Sequence, residues 1–343
     1  MNRRDFLASA VAAAALPVTV RSFASAPQRI GTVKFCAFAD MHYCPGVWPN
    51  PDADRLDAIL DRAKKEKSAF VIQLGDFVHR FDRREELDYV KRYRAFSLPT
   101  YSVLGNHDGE RGSGGYRKAV ETYGMKGNHY HFDVNGWRFI VGDHNYFRTL
   151  DGSYFHYDGR NLADAIRAKK LKSACALPPE EVEWIRRTVE ESPYPCVYFS
   201  HQSLERPGVV ANGAEVRGIF ESANRVSPGK VRLVINGHHH CDHVRVLSGI
   251  VYLDLNSANY FYYPKKHSGF PAEYVKAQPG AAHTVVWRDP LSAVVTVSLR
   301  AIRIKGSRSV FHLGVTPESV GFSPVDGHGR LIAPMVSDFE MES

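Results

Sequence analysis

The sequence predicts an α/β fold in one dominant domain, and three observations lead to this prediction. A chain of 343 residues with 44% hydrophobic and 24% charged residues has the composition of a globular protein that can bury a large core. From residue 33 onward, short runs rich in β-branched and aromatic residues alternate with amphipathic helical patterns. Aspartate, asparagine and histidine residues follow several of these runs directly. Such alternation is typical of strands joined by crossover helices.

The individual elements follow from local patterns. Apolar residues between Leu56 and Ala63 recur at helical spacing, a second helix is predicted after Asp82, and a third near Pro179, since proline is tolerated in a first helical turn. The dipeptide Asn135-Gly136 predicts a tight hairpin, because both residues readily adopt positive φ angles. The strand candidates lie at 33–39, 69–74, 100–104, 130–134, 137–141, 195–200, 231–235, 243–247 and 250–253.

The last part of the chain is harder to interpret. Residues 283–343 contain β-like runs at 284–287 and 293–304, followed by a polar, glycine-bearing stretch. These runs predict a C-terminal β-rich extension, either an extension of the sheet or a small cap. We see no internal repeat or low-complexity tract that would indicate a repeat protein.

Residues 1–26 have the features of an export signal. Arg3 and Arg4 precede a weakly apolar stretch at 8–20, and residues 24–26 have the small-residue form of a cleavage site. The segment resembles a twin-arginine translocation signal, which implies folded export by the Tat machinery to the periplasm or the medium. The alternative is a disordered or helical tail. The apolar stretch is shorter than the roughly 20 residues that span a bilayer, so we expect no membrane anchor.

Charge and cysteine content exclude several classes of protein. The formal net charge is +7, and without residues 1–26, which hold three arginines and one aspartate, it is +5. This excess is too small and dispersed to indicate a stable nucleic-acid partner, although it can attract anionic substrates. The five cysteines form no Cys-x-x-Cys pair and no disulfide framework. Cys36 and Cys196, flanked by apolar residues, are predicted to be buried free thiols.

Five segments place metal-competent side chains directly after a β-rich run. The carboxyl ends of strands are where loops assemble ligand sites in α/β folds. Each motif is weak alone, but the ordered set is specific, and three successive histidines are unexpected by chance. The five segments are D-M-H at Asp40 and His42, G-D at Asp76, G-N-H-D at Asn106, His107 and Asp108, a strand-end His201, and G-H-H-H at His238, His239 and His240.

The chemistry of these residues indicates a transition-metal site. Carboxylate oxygens combined with imidazole nitrogens suit Mn, Fe or Zn, whereas a magnesium or calcium site would use oxygen almost exclusively. Glycines precede Asp76, Asn106 and His238, and a residue without Cβ lets the backbone approach an ion closely. The 36 residues from Asp40 to Asp76 fit one strand-helix-strand unit.

The ordered motifs resemble those of the calcineurin-like metallophosphoesterase superfamily, which includes purple acid phosphatases. The match spans residues 40 to 240. The resemblance implies a four-layer αββα sandwich, in which two mixed β-sheets are flanked by helices and a dinuclear site lies at the strand ends. It also implies that residues 31–282 form the catalytic domain, before the extension at 283–343.

The resemblance further implies a role for each site residue. Two transition-metal ions would be held by seven side chains, with Asp76 as the bridging ligand. His107 would lie over the substrate and stabilise the phosphoryl oxygens or protonate the leaving group, Asp108 would orient His107, and His239 would point away from the ions. One ion would be held by Asp40, His42 and His240, and the other by Asn106, His201 and His238.

The implied activity is hydrolysis of a phosphoester by a metal-activated hydroxide. Two ions about 3.5 to 4 Å apart can share a carboxylate and a solvent oxygen and lower the pKa of water toward about 7. The substrate would be a small phosphorylated molecule, with a nucleotide as one candidate, cleaved by a phosphatase, phosphodiesterase or nucleotide pyrophosphatase reaction. The alternatives are a non-catalytic metal-binding interaction module and a DNA nuclease, for which a basic stripe would be expected.

Some residues remain ambiguous in the sequence. Asp143-His144-Asn145 could support the ligands or form a simple turn, and Cys241 is assigned no role. The aromatic and basic stretches at 145–172 and 260–266 could line a substrate site or pack beneath loops. Surface or core roles are favoured over catalysis for six further histidines, namely His79, His129, His131, His156, His243 and His267.

Overall fold

The computed structural model describes residues 29–50, 54–79, 81–109, 115–157 and 160–342. The predicted export signal at 1–26 lies outside these residues. The strands within them, in chain order, are β1 (Val33–Phe38), β2 (Val71–Leu74), β3 (Thr100–Val103), β4 (Tyr130–Val134), β5 (Trp137–Val141), β6 (Tyr146–Thr149), β7 (Tyr154–His156), β8 (Leu171–Ala176), β9 (Cys196–Phe199), β10 (Val231–Asn236), β11 (His243–Leu247), β12 (Ile250–Asp254), β13 (Tyr260–Tyr262), β14 (Thr284–Val286), β15 (Ala293–Val297), β16 (Ala301–Lys305) and β17 (Phe339–Glu342).

Helices connect these strands in the expected alternating order. In the described residues none of them is both long enough and apolar enough to cross a membrane. The helices are α1 (Arg55–Lys65), α2 (Arg84–Arg94), α3 (Gly115–Tyr123), α4 (Arg160–Arg167), α5 (Pro179–Glu190), α6 (Gly213–Val226) and α7 (Ala272–Ala277).

Two six-stranded mixed sheets form the centre of the described part of the chain. The first sheet has the order β17-β16-β15-β1-β2-β3, in which β1, β2 and β3 are parallel and β15 to β17 are antiparallel. The second has the order β11-β12-β10-β9-β5-β4, with parallel strands at its centre and antiparallel strands at both edges. Two small sheets, β13-β14 and β7-β6-β8, accompany them.

The two large sheets pack face to face through an aromatic core. Alternate residues of β1, such as Phe35, point into this core, where Phe35 stacks on Phe70 with ring centroids 4.9 Å apart and meets Phe199 edge-on at 5.7 Å. The intervening β1 residues, Cys36 and Phe38, face the opposite side of the sheet. This period-2 alternation is what a strand buried on both faces requires.

Helices cover the outer face of each sheet, as predicted for a four-layer αββα sandwich. The buried faces of α1, α2 and α3 pack on the first sheet, and those of α5 and α6 pack on the second. In α1, Leu56, Ile59 and Ala63 form the apolar stripe at helical spacing. Burial of each large aliphatic side chain stabilises such a layer by about 1.5–3 kcal/mol. The predicted fold class is therefore confirmed.

Local predictions are also confirmed. Asn135 and Gly136 have φ angles of 48° and 78° and join β4 to β5, with Val134 paired to Trp137. Cys36 and Cys196 are fully buried thiols. Beyond residue 283, β15 pairs with β1, so β15 to β17 extend the first sheet. The division of the chain into domains at residue 283 stays a prediction.

Candidate metal centre

The loops that follow the parallel strands of both sheets meet at one edge of the sandwich. The first sheet presents Asp40 after β1 and Asp76 after β2, and Asn106 follows β3. The second sheet presents His201 after β9, and His238 and His240 after β10. Because parallel strands end at the same edge of a sheet, residues far apart in sequence come together there.

The aspartates and histidines at this edge form two adjoining clusters. Asp40, His42 and His240 place one potential ligand atom each within 4.8 Å of one another, and so do Asp76, His201 and His238. The resemblance assigns the first of these groups to one ion and assigns His201 and His238, together with Asn106, to the other, with Asp76 between the two ions. The assignment of each residue as a ligand stays a prediction.

Short distances hold each cluster together and join one cluster to the other. His240 Nε2 lies 3.3 Å from Asp40 Oδ1, and His201 Nε2 lies 3.1 Å from Asp76 Oδ2. His42 Nε2 lies 3.7 Å from both Asp40 Oδ1 and Asp76 Oδ2. Asp76 therefore contacts members of both clusters, as a bridging ligand must.

The donor set fits a pair of transition-metal ions. Within the described residues, Asp40 Oδ1 and Asn106 Oδ1 are buried atoms without a hydrogen-bond partner. A buried oxygen without a hydrogen-bond partner destabilises the folded protein by about 1–3 kcal/mol unless something binds it. Carboxylate and amide oxygens next to imidazole nitrogens are ligands that Mn, Fe and Zn accept. We infer that these oxygens are available for coordination.

Backbone carbonyls fix the orientation of two histidines. His201 Nδ1 lies 2.7 Å from the carbonyl oxygen of Leu74, and His240 Nδ1 lies 2.7 Å from that of Tyr260. A carbonyl oxygen only accepts hydrogen bonds, so Nδ1 carries the proton in both rings. In the neutral form of either ring the Nε2 lone pair then faces the cluster, as a metal-binding imidazole requires.

The electrostatics of the clusters differ between the histidines. Burial lowers the pKa of His238 to about 3 and holds the pKa of His42 well below its usual range, so both rings are neutral at neutral pH. Burial also opposes the charged form of His201, but Asp76 and Asp40 outweigh this effect and raise its pKa to about 10. A cation that binds His201 at Nε2 must displace the proton that Nε2 carries in the charged form of the ring.

The backbone of the predicted ligands is strained. A residue other than glycine in the left-handed region costs roughly 1–2 kcal/mol, and such strain persists only where the surroundings hold it. Five of the seven predicted ligands have positive φ angles, namely Asp40 (52°), His42 (46°), Asp76 (52°), His238 (71°) and His240 (51°).

A polar network behind the site holds the strained loop after β1. Ser257 Oγ donates to the carbonyl of Asp40 over 2.8 Å, and Asn259 Nδ2 donates to the carbonyl of Met41. The buried guanidinium of Arg55 in turn donates from Nε to Asn259 Oδ1 over 2.7 Å. Arg55, Ser257 and Asn259 thus fix the backbone on either side of Met41, and no motif in the sequence pointed to them.

Three glycines allow the ligand loops to approach one another. A Cβ atom at Gly75 would lie 2.4 Å from His201 Nδ1, and one at Gly105 would lie 2.1 Å from Asp76 Oδ1. A Cβ atom at Gly237 would lie 2.6 Å from Asp40 Oδ2. Any other residue at these positions would push a predicted ligand aside. The close approach expected of these glycines is thus present.

Asp108 connects two of these loops. Its carboxylate is fully buried and accepts hydrogen bonds from the Gly105 amide over 2.7 Å, the Asp76 amide over 3.3 Å and the Tyr123 hydroxyl over 2.7 Å. Burial and the nearby Asp76 carboxylate raise the pKa of Asp108 to about 7. These contacts position the loops after β2 and β3. The predicted role of Asp108 in orienting His107 stays a prediction.

A cavity of about 480 Å³ opens over the clusters. His107 lies in its wall, with its ring centroid 4.8 Å from that of His42. His239, which was expected to point away from the ions, also lies in the wall but belongs to neither ligand cluster. The position of His107 beside the clusters is compatible with the role implied for it.

His79 is a residue of the cavity wall that sequence analysis assigned to the surface or core. Its ring lies 4.6 Å from that of His107 and 5.9 Å from that of His42. It also offers a ring nitrogen within 4.8 Å of those two residues. The available signal was its position three residues after Asp76, on the same loop.

The ambiguous segments separate into two groups. Asn145 Nδ2 donates to the carbonyl of Leu104 over 2.8 Å, and His144 Nδ1 lies 3.0 Å from the carbonyl of Gln202. This segment therefore supports the loops that carry Asn106 and His201. Residues 260–262 line the cavity, whereas none of the described residues of 145–172 does.

Comparison with known proteins supports this description of the fold. A dimetal phosphatase from Danio rerio has a similar structure, with a TM-score of 0.57 and 15% sequence identity, covering 90% of this chain and 98% of that one. A purple acid phosphatase from yellow lupin (Lupinus luteus) seeds gives a TM-score of 0.47 at 12% identity, covering 92% of this chain and 55% of that one. At 15% identity, the similarity to the dimetal phosphatase shows a shared fold.

Sequence comparison identifies the family. No curated protein matches the chain significantly. The calcineurin-like phosphoesterase family matches residues 33–242, which is more than half of the chain and includes all seven predicted ligands. The protein therefore belongs to the calcineurin-like phosphoesterase family.

Proposed function

We propose that the protein is a dinuclear metal-dependent hydrolase of phosphoester bonds. The observation that carries this proposal is the pair of ligand clusters joined at Asp76 beneath a cavity whose wall contains His107. Membership of a phosphoesterase family supports the same reaction class. The substrate would be a phosphomonoester, a phosphodiester or a nucleotide pyrophosphate.

The side chains of the site have separate tasks in this proposal. Asp40, His42 and His240 would hold one ion, His201, His238 and Asn106 the other, and Asp76 both. Two bound transition-metal ions would supply Lewis-acid activation of water and of the phosphoryl group. The ligand loops are held in place before any substrate arrives. The close approach at Gly75, Gly105 and Gly237 and the hydrogen bonds from Ser257 and Asn259 hold them.

His107 is placed to act on the substrate. Its backbone amide donates to Asp76 Oδ1 over 2.8 Å, which fixes the start of the turn at His107–Gly109 beside the proposed bridging ligand. From the cavity wall its imidazole can donate a hydrogen bond to a phosphoryl oxygen or a proton to the departing alcohol. The ring of His79 lies 4.6 Å from that of His107 and would position it.

The test combines elemental analysis with a substrate panel. The purified protein should contain two transition-metal ions per chain and hydrolyse at least one of a phosphomonoester, a phosphodiester and a nucleoside diphosphate. The Asp76→Ala variant should lose metal and activity together, because it removes a ligand from both clusters. Asp88→Ala removes an exposed carboxylate on α2 and should retain both properties.

Two outcomes would contradict the proposal. Full metal content in Asp76→Ala would show that Asp76 does not bridge two ions. A protein that binds two ions per chain and hydrolyses no member of the panel would instead be a metal-binding interaction module, which is the principal alternative.

A further inference from the structure

One wall of the cavity is a continuous series of aromatic rings. Tyr260 stacks on the predicted ligand His42 with centroids 5.5 Å apart and an interplanar angle of 25°. Trp48 stacks on Tyr260 at 5.9 Å and 21°, and Tyr262 meets Trp48 edge-on at 5.9 Å. We call Trp48, Tyr260 and Tyr262 the aromatic wall. It extends from the predicted ligand His42 to the exposed ring of Tyr262.

The backbone holds the indole of Trp48 in place. A Cβ atom at Gly280 would lie 2.4 Å from an indole carbon, so the ring packs directly on the glycine backbone. The Gly280 amide also donates to the carbonyl of Val47 over 2.7 Å, which ties the two segments together. A ring held in this way loses little conformational entropy when a ligand binds against it.

Packing does not account for Tyr262. Trp48 and Tyr260 contribute to the core, but the side chain of Tyr262 is 45% exposed at the end of β13. One face of the Tyr262 ring stacks toward His283, whose ring centroid lies 5.8 Å away. An exposed aromatic ring next to a rigid indole is typical of a binding site for a flat ligand.

The aromatic wall lies where the departing part of a substrate would be. The ring of Trp48 lies 5.2 Å from that of His79, and His79 lies 4.6 Å from His107. His107, His79 and Trp48 thus form a row of neighbouring rings in one cavity, and a leaving group beside His107 would have the aromatic wall near it. The side chains of the aromatic wall are uncharged and present flat faces, so this wall suits an uncharged ring.

We propose that the aromatic wall binds an aromatic ring in the leaving group of the substrate. This inference rests on the proposed phosphoesterase function and narrows its substrate class to phosphoesters of alcohols that carry a flat aromatic ring. The ring is a nucleobase or a simple aryl group, since both present the π face that Trp48 and Tyr262 recognise. In the reaction the bond from phosphorus to the alcohol oxygen breaks, water oxygen bonds to phosphorus, and the alcohol oxygen takes up a proton.

The experiment compares two matched pairs of substrates. Adenosine 5′-monophosphate and ribose 5-phosphate differ in the nucleobase, and benzyl phosphate and cyclohexylmethyl phosphate differ in the aromaticity of one ring. Each pair releases a primary alcohol, so the intrinsic reactivity within a pair is similar. If the enzyme prefers diesters, the methyl diesters of the same four compounds replace them in the comparison. Stacking on an aromatic side chain should favour the aromatic member by about 10- to 100-fold in kcat/KM.

Variants at the wall give the matched controls. In each pair where the aromatic member is preferred, Tyr262→Ala and Trp48→Ala should bring the ratio of the two kcat/KM values toward one. Tyr262→Phe keeps the ring and should preserve this ratio. Phe155→Ala removes a similarly exposed aromatic ring on β7, outside the cavity, and should leave the ratio unchanged. Because Tyr262 is exposed, its variants should fold even if those of Trp48 do not.

The outcomes separate this inference from the proposed function. Preference in the nucleoside pair alone would identify a nucleobase site, and preference in both pairs a general aryl site. Ratios near one in both pairs, with all four compounds hydrolysed, would overturn the inference and leave the phosphoesterase function standing. Absence of hydrolysis of every phosphoester tested would overturn both.

Discussion

Replacing Gly105 by alanine should remove metal from the protein while leaving its fold intact. A Cβ atom at this position would lie 2.1 Å from Asp76 Oδ1, 2.4 Å from the Asp76 amide nitrogen and 2.7 Å from Asp76 Cγ. Since real Cβ atoms essentially never approach a neighbour within 3.0 Å, Asp76 must move by about 1 Å. Gly105 does not have a positive φ angle, so alanine can adopt its backbone conformation without strain.

The size of the effect follows from the displaced atoms. A misplacement of about 1 Å at a reacting centre can cost about 10²-fold in rate, and overpacking a tight site costs about 1–3 kcal/mol of stability. A domain stable by 5–15 kcal/mol remains folded after such a loss. We therefore expect Gly105→Ala to reduce metal content and to lower kcat by at least about 10²-fold.

Gly218→Ala provides the matched control for this change. Gly218 lies within α6, and nothing lies within 4 Å of a Cβ atom added there. Alanine is the better helix former by about 1 kcal/mol, so this variant should keep its metal and unfold at an equal or higher temperature. Elemental analysis, steady-state kinetics and thermal unfolding of both variants make the comparison. Wild-type metal content and turnover in Gly105→Ala would refute the reasoning.

Three further changes test other parts of the structure. His107→Ala should keep its metal and lower turnover by about 10²–10³-fold, as elemental analysis and kinetics will show, and wild-type turnover would remove His107 from the mechanism. Asn259→Ala leaves the Met41 carbonyl without its donor and should weaken metal binding, measured by chelator competition, with a stability loss of about 1–3 kcal/mol; unchanged metal affinity would count against the polar network. We also propose that the protein is exported through the Tat route. Replacing Arg3 and Arg4 by lysine should then retain it in the cytoplasm on cell fractionation, and undiminished periplasmic activity would contradict that route.

Most of the site residues could be predicted because they follow buried strands. Asp40, Asp76, His201 and His238 each come after a run of β-branched and aromatic residues, so the sequence shows both the residue type and its position at a strand end. His79 has no such signal. Its place in the cavity depends on the distance between the loops after β2 and β3, which local sequence does not determine.

The parts of the fold that were not predicted have weak local signals. The helix α6 begins after Asn212, a residue type common at helix starts, but the Asn212 side chain accepts a hydrogen bond from the Leu177 amide instead of capping the helix. The strands β6 to β8 form a small separate sheet with few buried residues, so their apolar pattern is weak. The neighbours of β1 were also not predictable, because strand pairing across hundreds of residues depends on tertiary contacts.

The position of β15 beside β1 has a consequence for biosynthesis. Val33 pairs with Val297, so the strand that leads to Asp40 waits for its antiparallel neighbour until almost all of the chain has left the ribosome. At about 5–20 residues per second, this interval lasts roughly 10–50 s. The edge of β1 that β15 covers therefore lacks this neighbour in every nascent chain that ends before residue 293.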